Sequence, residues 1–269
     1  MRGIFTRFFK DKKAMTIGFC LGALGFIEMY VALFPSIQKQ ANELNKMMES
    51  FPKEFMKVFG MDSAQLMFAK LENYMSTEYF SFFWPILVTI MAISFANAIC
   101  VGEIEKKTIE ITLAQPISRA KILLSRYLGG ALAITLFTVV SSYGILGFAF
   151  LHKIDYSLAN YATVAFVGTL CGLAIFSIAT FFSVLFSERG RSTMATVGIL
   201  LLMYALNIIS GLKDSLQNLK YVSFFHYFNA PEVFGNNRIV DWSIIVFAGT
   251  ILLFLLAAVL RFQKRDISV

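Results

Sequence analysis

Six long apolar blocks constrain this chain more than any other feature of its sequence. Each block is about as long as the roughly 20 residues that a helix needs to cross a bilayer. Hydrophobic residues make up 57% of the 269 positions and charged residues only 15%, whereas a soluble domain carries about 25% charged residues. We therefore predict an all-α membrane protein with a single transmembrane domain, residues 1–269. The six predicted spans are 14–34, 79–101, 127–151, 159–186, 193–212 and 242–260.

The basic residues predict the orientation of the bundle. The four segments on one side of the bundle carry 15 of the 24 Lys and Arg residues, although the segments on the other side are longer in total. Because Lys and Arg near the spans stay on the cytoplasmic side, we expect both termini in the cytoplasm. The net charge of +7 then needs no nucleic acid partner. The predicted cytoplasmic segments are 1–13, 102–126, 187–192 and 261–269.

The other polar segments predict one surface helix and two outer loops. Residues 1–13 mix basic and apolar side chains, which is typical of a helix lying on the inner membrane surface. Residues 35–78 form a large outer insert whose Met- and Phe-rich face either caps the bundle or contacts an amphipathic cargo. Residues 213–241 form a second outer loop, and we expect its aromatic side chains at the membrane interface.

The connector between the second and third spans, residues 102–126, is the most informative segment. Its apolar residues recur at helical spacing until Pro116, which ends a helix. Ser118 then stands where a side-chain oxygen can cap the next helix, with Arg119 in its first turn. We predict a short amphipathic helix at the membrane surface, a turn, and a new helix that enters the bilayer. An ordinary interfacial connector would show the same periodicity.

The connector also resembles a motif of a known family. It reads E-x-E-K-x-T-x-E-x-x-L-x-x-P-I-S-R followed by x-K-I-L-L-x-x-Y, which is similar to the loop after the second helix in ABC type-2 exporter permeases. The six spans, the large first outer loop and the basic lead are similar to that family as well. The family usually has Gly where this chain has Lys107. The matching positions are Glu103, Glu105, Thr108, Glu110, Leu113, Pro116, Ser118, Arg119 and Lys121.

The resemblance implies a transporter subunit that works with partners. In that family the connector forms a coupling helix, which docks in a cleft of a separate ATPase subunit, and two permease chains assemble with two ATPase chains. ATP and Mg are then bound by the ATPase, and this chain binds no cofactor. The second permease is another copy or a close homologue. The connector residues from Glu103 to Arg119, including Lys107, become candidates for ATPase coupling, and the three Glu residues are expected to pair with basic groups of the partner.

We expect this chain to move a cargo rather than to catalyse a reaction. It contains no G-x-x-x-x-G-K-[ST] phosphate loop for ATP. The insert and the aromatic loop favour a hydrophobic or amphipathic cargo, such as a peptide, drug or lipid, exported across a bacterial plasma membrane. Two other classes stay open. A secondary transporter or channel would need inverted repeats or midplane charges, and a membrane-embedded enzyme would need catalytic groups, although the predicted spans contain no His or Asp.

A few residues within the spans are further candidates. Glu28 is the only acidic residue in a predicted span. It is a cargo or proton contact, a structural carboxylate with a partner, or a carboxylate that snorkels to the outer interface. The pairs Gly18-x-x-x-Gly22 and Gly168-x-x-x-Gly172 permit close packing of helices. The Cys and His residues have no metal-binding spacing, so we expect no metal site.

Overall fold

The computed structural model describes residues 2–40, 43, 68–212 and 214–266. These residues form helices and turns, with no strand among them. Six of the helical stretches are long and apolar enough to cross a membrane, which confirms the predicted all-α membrane fold with six spans. The centre of the predicted outer insert, including most of its Met residues, lies outside the described residues.

Ten α-helices follow one another along the described part of the chain. Short π-helical segments occupy Ser76–Phe83 and Pro231–Gly235, and a 3₁₀ helix occupies Asp214–Val222. The α-helices are α1 (Arg2–Lys39), α2 (Leu71–Met75), α3 (Trp84–Ile99), α4 (Val101–Glu105), α5 (Ile109–Leu113), α6 (Arg119–Leu151), α7 (Leu158–Leu185), α8 (Arg189–Leu212), α9 (Phe224–Tyr227) and α10 (Ser243–Lys264).

Helix α7 forms the centre of the bundle. Its apolar 18-residue window is 72% buried within the chain, against 17% for the corresponding windows of α8 and α10. Helices α3, α6 and α10 pack around α7, and α1 packs along α6. The outer helices therefore keep apolar faces that suit lipid tails, which are as apolar as Leu side chains.

Helix α1 is longer than its predicted span. It runs without a break over 38 residues, about 57 Å at 1.5 Å per residue, whereas the hydrocarbon core of a bilayer is about 30 Å thick. Its first turns, predicted as a separate surface helix, continue the same helix and pack against the bundle. Phe8 is buried, and its ring centroid lies 6.2 Å from that of Phe95 in α3. The predicted boundary at residue 13 is therefore not a break in the helix.

The second long helical stretch begins at Leu71 rather than at the predicted residue 79. The polar residues that obscured this start are satisfied in the fold. The buried Glu72 carboxylate accepts a hydrogen bond from the backbone N–H of Ser157, 2.5 Å away, just before α7, and carboxylates are favourable at helix N-termini. Glu72 and Glu78 thus join Asp11 and Glu28 as acidic residues of the long spanning helices, so the helices contain more acidic residues than the predicted spans.

The loop between α8 and α10 folds into the end of the bundle. Its side chains Phe224, Tyr227 and Phe228 are at most 7% exposed, and the ring centroid of Phe228 lies 4.8 Å from that of Trp84 in α3. The expected aromatic cluster at the membrane interface is therefore, for these three residues, part of the interior. Aromatic rings contribute most to the stability of a fold when they are buried.

The two ends of the bundle carry different groups. One end, which we call the terminal end, holds the start of α1, the connector between α3 and α6, the turn between α7 and α8, and the end of α10. Polar contacts link the connector, the turn between α7 and α8 and the end of α10 to one another, and the start of α1 packs beside them through Phe8. The opposite end, the loop end, holds the turn between α6 and α7 and the loop between α8 and α10.

Candidate functional site

The connector at the terminal end contains two short helices instead of the single one predicted. Helices α4 and α5 have five residues each, and in the turn between them Lys107 has a φ of 55°. This left-handed conformation costs a residue with a side chain about 1–2 kcal/mol, a cost that Gly avoids. The Gly that is usual at this position in the related family suits the same turn, so the chain keeps the turn with a strained Lys.

Helix α5 has a buried side and an exposed side. Ile109 is 1% exposed, and Leu113, one turn later, packs against the hydrophobic core. Ile111, in contrast, is 72% exposed, and Glu110 is exposed beside it. The exposed side of α5 thus presents a large apolar side chain next to a carboxylate, at the end of the bundle that also carries the exposed Lys106.

Glu103 of α4 is held by a network within the chain. Its Oε1 lies 2.7 Å from Nη2 of Arg126 in α6, and its Oε2 accepts a hydrogen bond of 2.9 Å from the hydroxyl of Thr112 in α5. Arg126 also donates to the backbone carbonyl of Ile99 at the end of α3, over 2.7 Å. A single carboxylate and a single guanidinium therefore join α3, α4, α5 and α6.

Glu105 pairs with a second arginine, at the start of α8. Nε of Arg189 lies 2.9 Å from Oε2 of Glu105, a charge contact without the alignment of a hydrogen bond. The same guanidinium donates to the backbone carbonyl of Gly102 over 3.2 Å. A Cβ on Gly102 would lie 2.8 Å from Nη2 of Arg189 and 2.7 Å from the carbonyl oxygen of Asn97. Only Gly permits this close approach of α4 to Arg189.

Asn97 strengthens the same junction from α3. Its amide nitrogen donates to the hydroxyl of Thr193, and its amide oxygen accepts from the hydroxyl of Ser192, each over 3.0 Å. Both partners lie in the first turn of α8. The start of α8 is therefore joined to the end of α3 and to the connector.

A third arginine pair links the connector to the residues after α10. Nη1 of Arg119 donates to the backbone carbonyl of Arg265 over 2.6 Å. The Arg265 side chain is buried and donates to the carbonyls of Val184 and Phe186 at the end of α7, and to the hydroxyl of Ser187 over 2.7 Å. Burial lowers the pKa of Arg265 from its ordinary value, yet arginine stays charged at neutral pH.

The remaining residues of the motif lie on or near the exposed surface. Thr108 stands before α5, and its hydroxyl donates over 3.4 Å to the carbonyl of Glu103. Ser118 occupies the position before α6 with extended backbone angles, but its hydroxyl makes no capping hydrogen bond. The predicted side-chain cap is therefore absent. Pro116 and Lys121 are exposed.

The three carboxylates of the motif thus have different environments. Glu103 and Glu105 each pair with an arginine of the same chain. Glu110 makes no hydrogen bond or ion pair among the residues that the structure describes, and its side chain is exposed. Of the three, Glu110 is the one free to meet a partner's basic group without first leaving an arginine.

Glu28, the candidate within α1, has a partner at the loop end. Its Oε1 lies 2.9 Å from Nε2 of His152, which follows α6, and the two side chains are 41% and 33% exposed. The second carboxylate oxygen, Oε2, is buried without a hydrogen bond in the described chain. This arrangement fits the interpretation of Glu28 as a structural carboxylate with a partner better than the interpretation as an unpaired cargo contact.

The two glycine pairs have opposite surroundings. A Cβ on Gly172 would lie 3.0 Å from Ile134 in α6 and 3.1 Å from Val88 in α3, and Gly168 is similarly close to both helices. A Cβ on Gly18 or Gly22 would meet no atom of the described chain within 4 Å. The first pair permits α3, α6 and α7 to pack closely, whereas the second lies on an open face of α1.

Several residues of this site were not singled out from the sequence. Arg126, Arg189 and Arg265 stand at the ends of predicted spans and were read as topology signals alone. Their common signal is an arginine beside a helix terminus, where backbone carbonyls or a nearby carboxylate need a donor. Their partners lie up to 146 residues away. No group of three potential metal-binding side chains occurs in the described part of the chain.

Comparison with known proteins assigns the family. The sequence profile described as "ABC-2 family transporter protein" matches residues 5–267, which is nearly the whole chain. No curated protein matches the sequence. The profile includes the six spanning helices and the connector with its exposed α5. The chain therefore belongs to the ABC-2 family of transporter proteins, as a membrane permease of an ABC transport system.

Proposed function

We propose that this permease is the membrane subunit of an ATP-driven exporter and that its connector docks onto a separate ATPase subunit. The exposed side of α5 carries the proposal. Ile111 is 72% exposed at an end of the bundle rich in charged residues, and Glu110 lies beside it. Ile111 stands in the segment that resembles the coupling helix of the family, and an exposed apolar side chain with a polar rim suits the centre of a protein-protein contact.

The contacts behind α5 support a mechanical role. The Glu103–Arg126 pair ties the connector to α6, and the Glu105–Arg189 pair ties it to α8. A displacement of α5 by a bound ATPase would therefore reach at least two spanning helices without first crossing a flexible segment. Packed side chains and hydrogen-bond networks of this kind carry energetic coupling between distant sites.

The ATPase is expected to supply the nucleotide chemistry. This sequence contains no phosphate-binding loop of the G-x-x-x-x-G-K-[ST] type, so ATP and Mg belong to the partner subunit. The terminal end of the bundle then faces the cytoplasm, where ATP is present, in agreement with the distribution of Lys and Arg. The proposed location is the bacterial plasma membrane.

The assembly is proposed to contain two permeases and two ATPases. The open face of α1 around Gly18 and Gly22 suits close contact with another helix, and a second copy or a close homologue would supply that helix. The proposed cargo is hydrophobic or amphipathic, such as a peptide, drug or lipid. Buried aromatic side chains at the loop end, among them Trp84, Phe228 and Phe234, support a cargo of this class.

The docking proposal is tested with the purified permease and the ATPase encoded beside it. We expect the two to co-purify and the permease to stimulate ATP hydrolysis. Ile111→Asp should abolish both effects, because it places a charge in the apolar centre of the contact. Val222→Asp is the matched control, since Val222 is a β-branched residue that is 57% exposed at the loop end.

Two outcomes would reject the proposal. One is a permease that neither binds nor stimulates the ATPase. The other is an Ile111→Asp variant that retains binding and stimulation at the level of the Val222→Asp control. Transport of candidate cargoes into inverted vesicles, energised by ATP, tests the direction of transport separately.

A further inference from the structure

Six charged residues at the terminal end hold neighbouring segments together through hydrogen bonds and ion pairs, and we call them the arginine clasp. Its members belong to α4, α6, α8 and the residues that follow α10. The contacts form two sets that the chain itself connects. In one set, α6 is bound to the residues after α10, and these are bound to Ser187 in the turn before α8. In the other set, α4 is paired with both α8 and α6. The clasp consists of Arg119, Arg265, Arg189, Glu105, Glu103 and Arg126.

Residues of the clasp hold the chain on both sides of α5. On one side, Glu103 and Glu105 of α4 are held by Arg126 and Arg189. On the other side, Arg119 is held by the backbone carbonyl of Arg265. The five residues of α5 and the short turns beside it thus have fixed points before and after them.

Arg265 is the member that connects Arg119 to the centre of the bundle. Its backbone oxygen accepts from Arg119, while its guanidinium binds the last carbonyls of α7 and the hydroxyl of Ser187. Carbonyls at a helix C-terminus carry a partial negative charge, so a buried cation there is well placed. Arg265 is 8% exposed, which leaves its side chain little room for another role.

We propose that Arg265 is a positioning residue for ATPase coupling: it fixes the orientation of α5 and so prepares the exposed face of α5 for docking. This inference rests on the proposed function. Without the Arg265 side chain, the residues after α10 lose their hydrogen bonds to the end of α7. The Arg265 carbonyl, which is the nearer acceptor of Arg119, is then no longer held in place, and only the longer contact of 3.4 Å with the Phe262 carbonyl in α10 keeps its position. Helix α5 would then sample several orientations, and docking would have to restrict them, which weakens binding.

The test is a titration of ATP hydrolysis against ATPase subunit concentration at a constant amount of folded permease. For Arg265→Ala, the half-saturating concentration should rise about fivefold or more, the lower range of measured coupling between sites, while the maximal stimulation per folded permease is largely retained. Arg265→Lys keeps the charge but has fewer hydrogen-bond donors. Its half-saturating concentration should lie between those of the wild type and of Arg265→Ala. Arg261→Ala is the control, because Arg261 is an exposed cation one turn earlier without a hydrogen bond or ion pair in the described chain.

The outcomes separate this inference from the proposed function. A wild-type permease that gives no stimulation rejects the proposed function, and the inference with it. Normal wild-type stimulation, together with an Arg265→Ala variant whose maximum falls while its half-saturating concentration stays unchanged, shows a purely structural role and overturns the inference alone. If Arg265→Ala does not fold, Ser187→Ala and Arg119→Gln each remove one contact of the clasp. Unchanged half-saturation in both would overturn the inference as well.

Discussion

Nη2 of Arg126 lies 2.7 Å from Oε1 of Glu103, and the two side chains are only 12% and 27% exposed. This pair joins the start of α6 to α4 across the connector. Its low exposure distinguishes it from the Glu188–Arg191 pair at the same end of the bundle, whose side chains are 59% and 69% exposed. The difference matters because solvent screens exposed ion pairs.

A double-mutant cycle should measure this difference. We expect a coupling energy of about 1–2 kcal/mol between Glu103→Gln and Arg126→Gln, because both groups also hydrogen-bond to their neighbours. The cycle of Glu188→Gln and Arg191→Gln should give under about 0.5 kcal/mol. Equilibrium unfolding in detergent provides the free energies. Equal coupling in the two cycles would show that burial adds nothing to the Glu103–Arg126 pair.

The strained turn before α5 makes a second prediction. Lys107→Gly should raise the free energy of unfolding by about 0.5–1 kcal/mol, because relief of the left-handed strain exceeds the extra entropy that Gly loses on folding. Lys106→Gly should lower it by about 0.5–1 kcal/mol, since Lys106 has an ordinary φ of −84°. Measuring the free energy of unfolding of both variants and of the wild type checks the predicted gain for Lys107→Gly and the predicted loss for Lys106→Gly. A loss of stability in Lys107→Gly would contradict the proposed strain.

The six spans and the position of the connector could be predicted from the sequence because both depend on local properties. Apolar length decides a span, and Pro116 and the helical period decide where the connector bends. The left-handed turn at Lys107 is also a local feature, but Lys is not a residue type that predicts a positive φ. The Gly that is usual at this position in the family is the one indication of a left-handed turn.

The contacts of the clasp could not be predicted, because they depend on which helix ends become neighbours. Arg119 and Arg265 are 146 positions apart, and nothing in either local sequence indicates the other. The start of the second span was missed for a related reason. By its polarity Glu72 is typical of a loop, and only the distant backbone N–H of Ser157, which donates to its carboxylate, explains its place in a buried helix. The burial of Phe228 likewise results from the loop packing onto Trp84. Hydropathy along the chain does not predict such a contact.

The loop end makes a prediction about pH. Burial lowers the pKa of His226, and the nearby Lys220 lowers it further. The unfolded chain, in which His has a pKa of about 6.5, therefore binds more protons than the folded chain in the window below that value. Stability should then fall as the pH drops from about 6.5 towards the folded pKa. Thermal unfolding at pH 7.5 and 5.5 should show a smaller loss for His226→Asn than for the wild type, and an equal loss would show that other groups cause the pH dependence.

The two glycine pairs make the last prediction, because they separate packing within the chain from packing between chains. Gly172→Leu should destabilise the permease by about 1–3 kcal/mol, since its added Cβ alone would lie 3.0 Å from Ile134 and 3.1 Å from Val88. Gly22→Leu should not lower the stability of the single chain, because the space beside Gly22 is open to 4 Å in the described chain. It should raise that stability by about 0.5–1 kcal/mol, since Gly is unfavourable inside a helix. If a second permease packs there, Gly22→Leu should still weaken self-association, measured by sedimentation in detergent. A Gly22→Leu variant that associates like the wild type would place the contact between permeases on another face of the bundle.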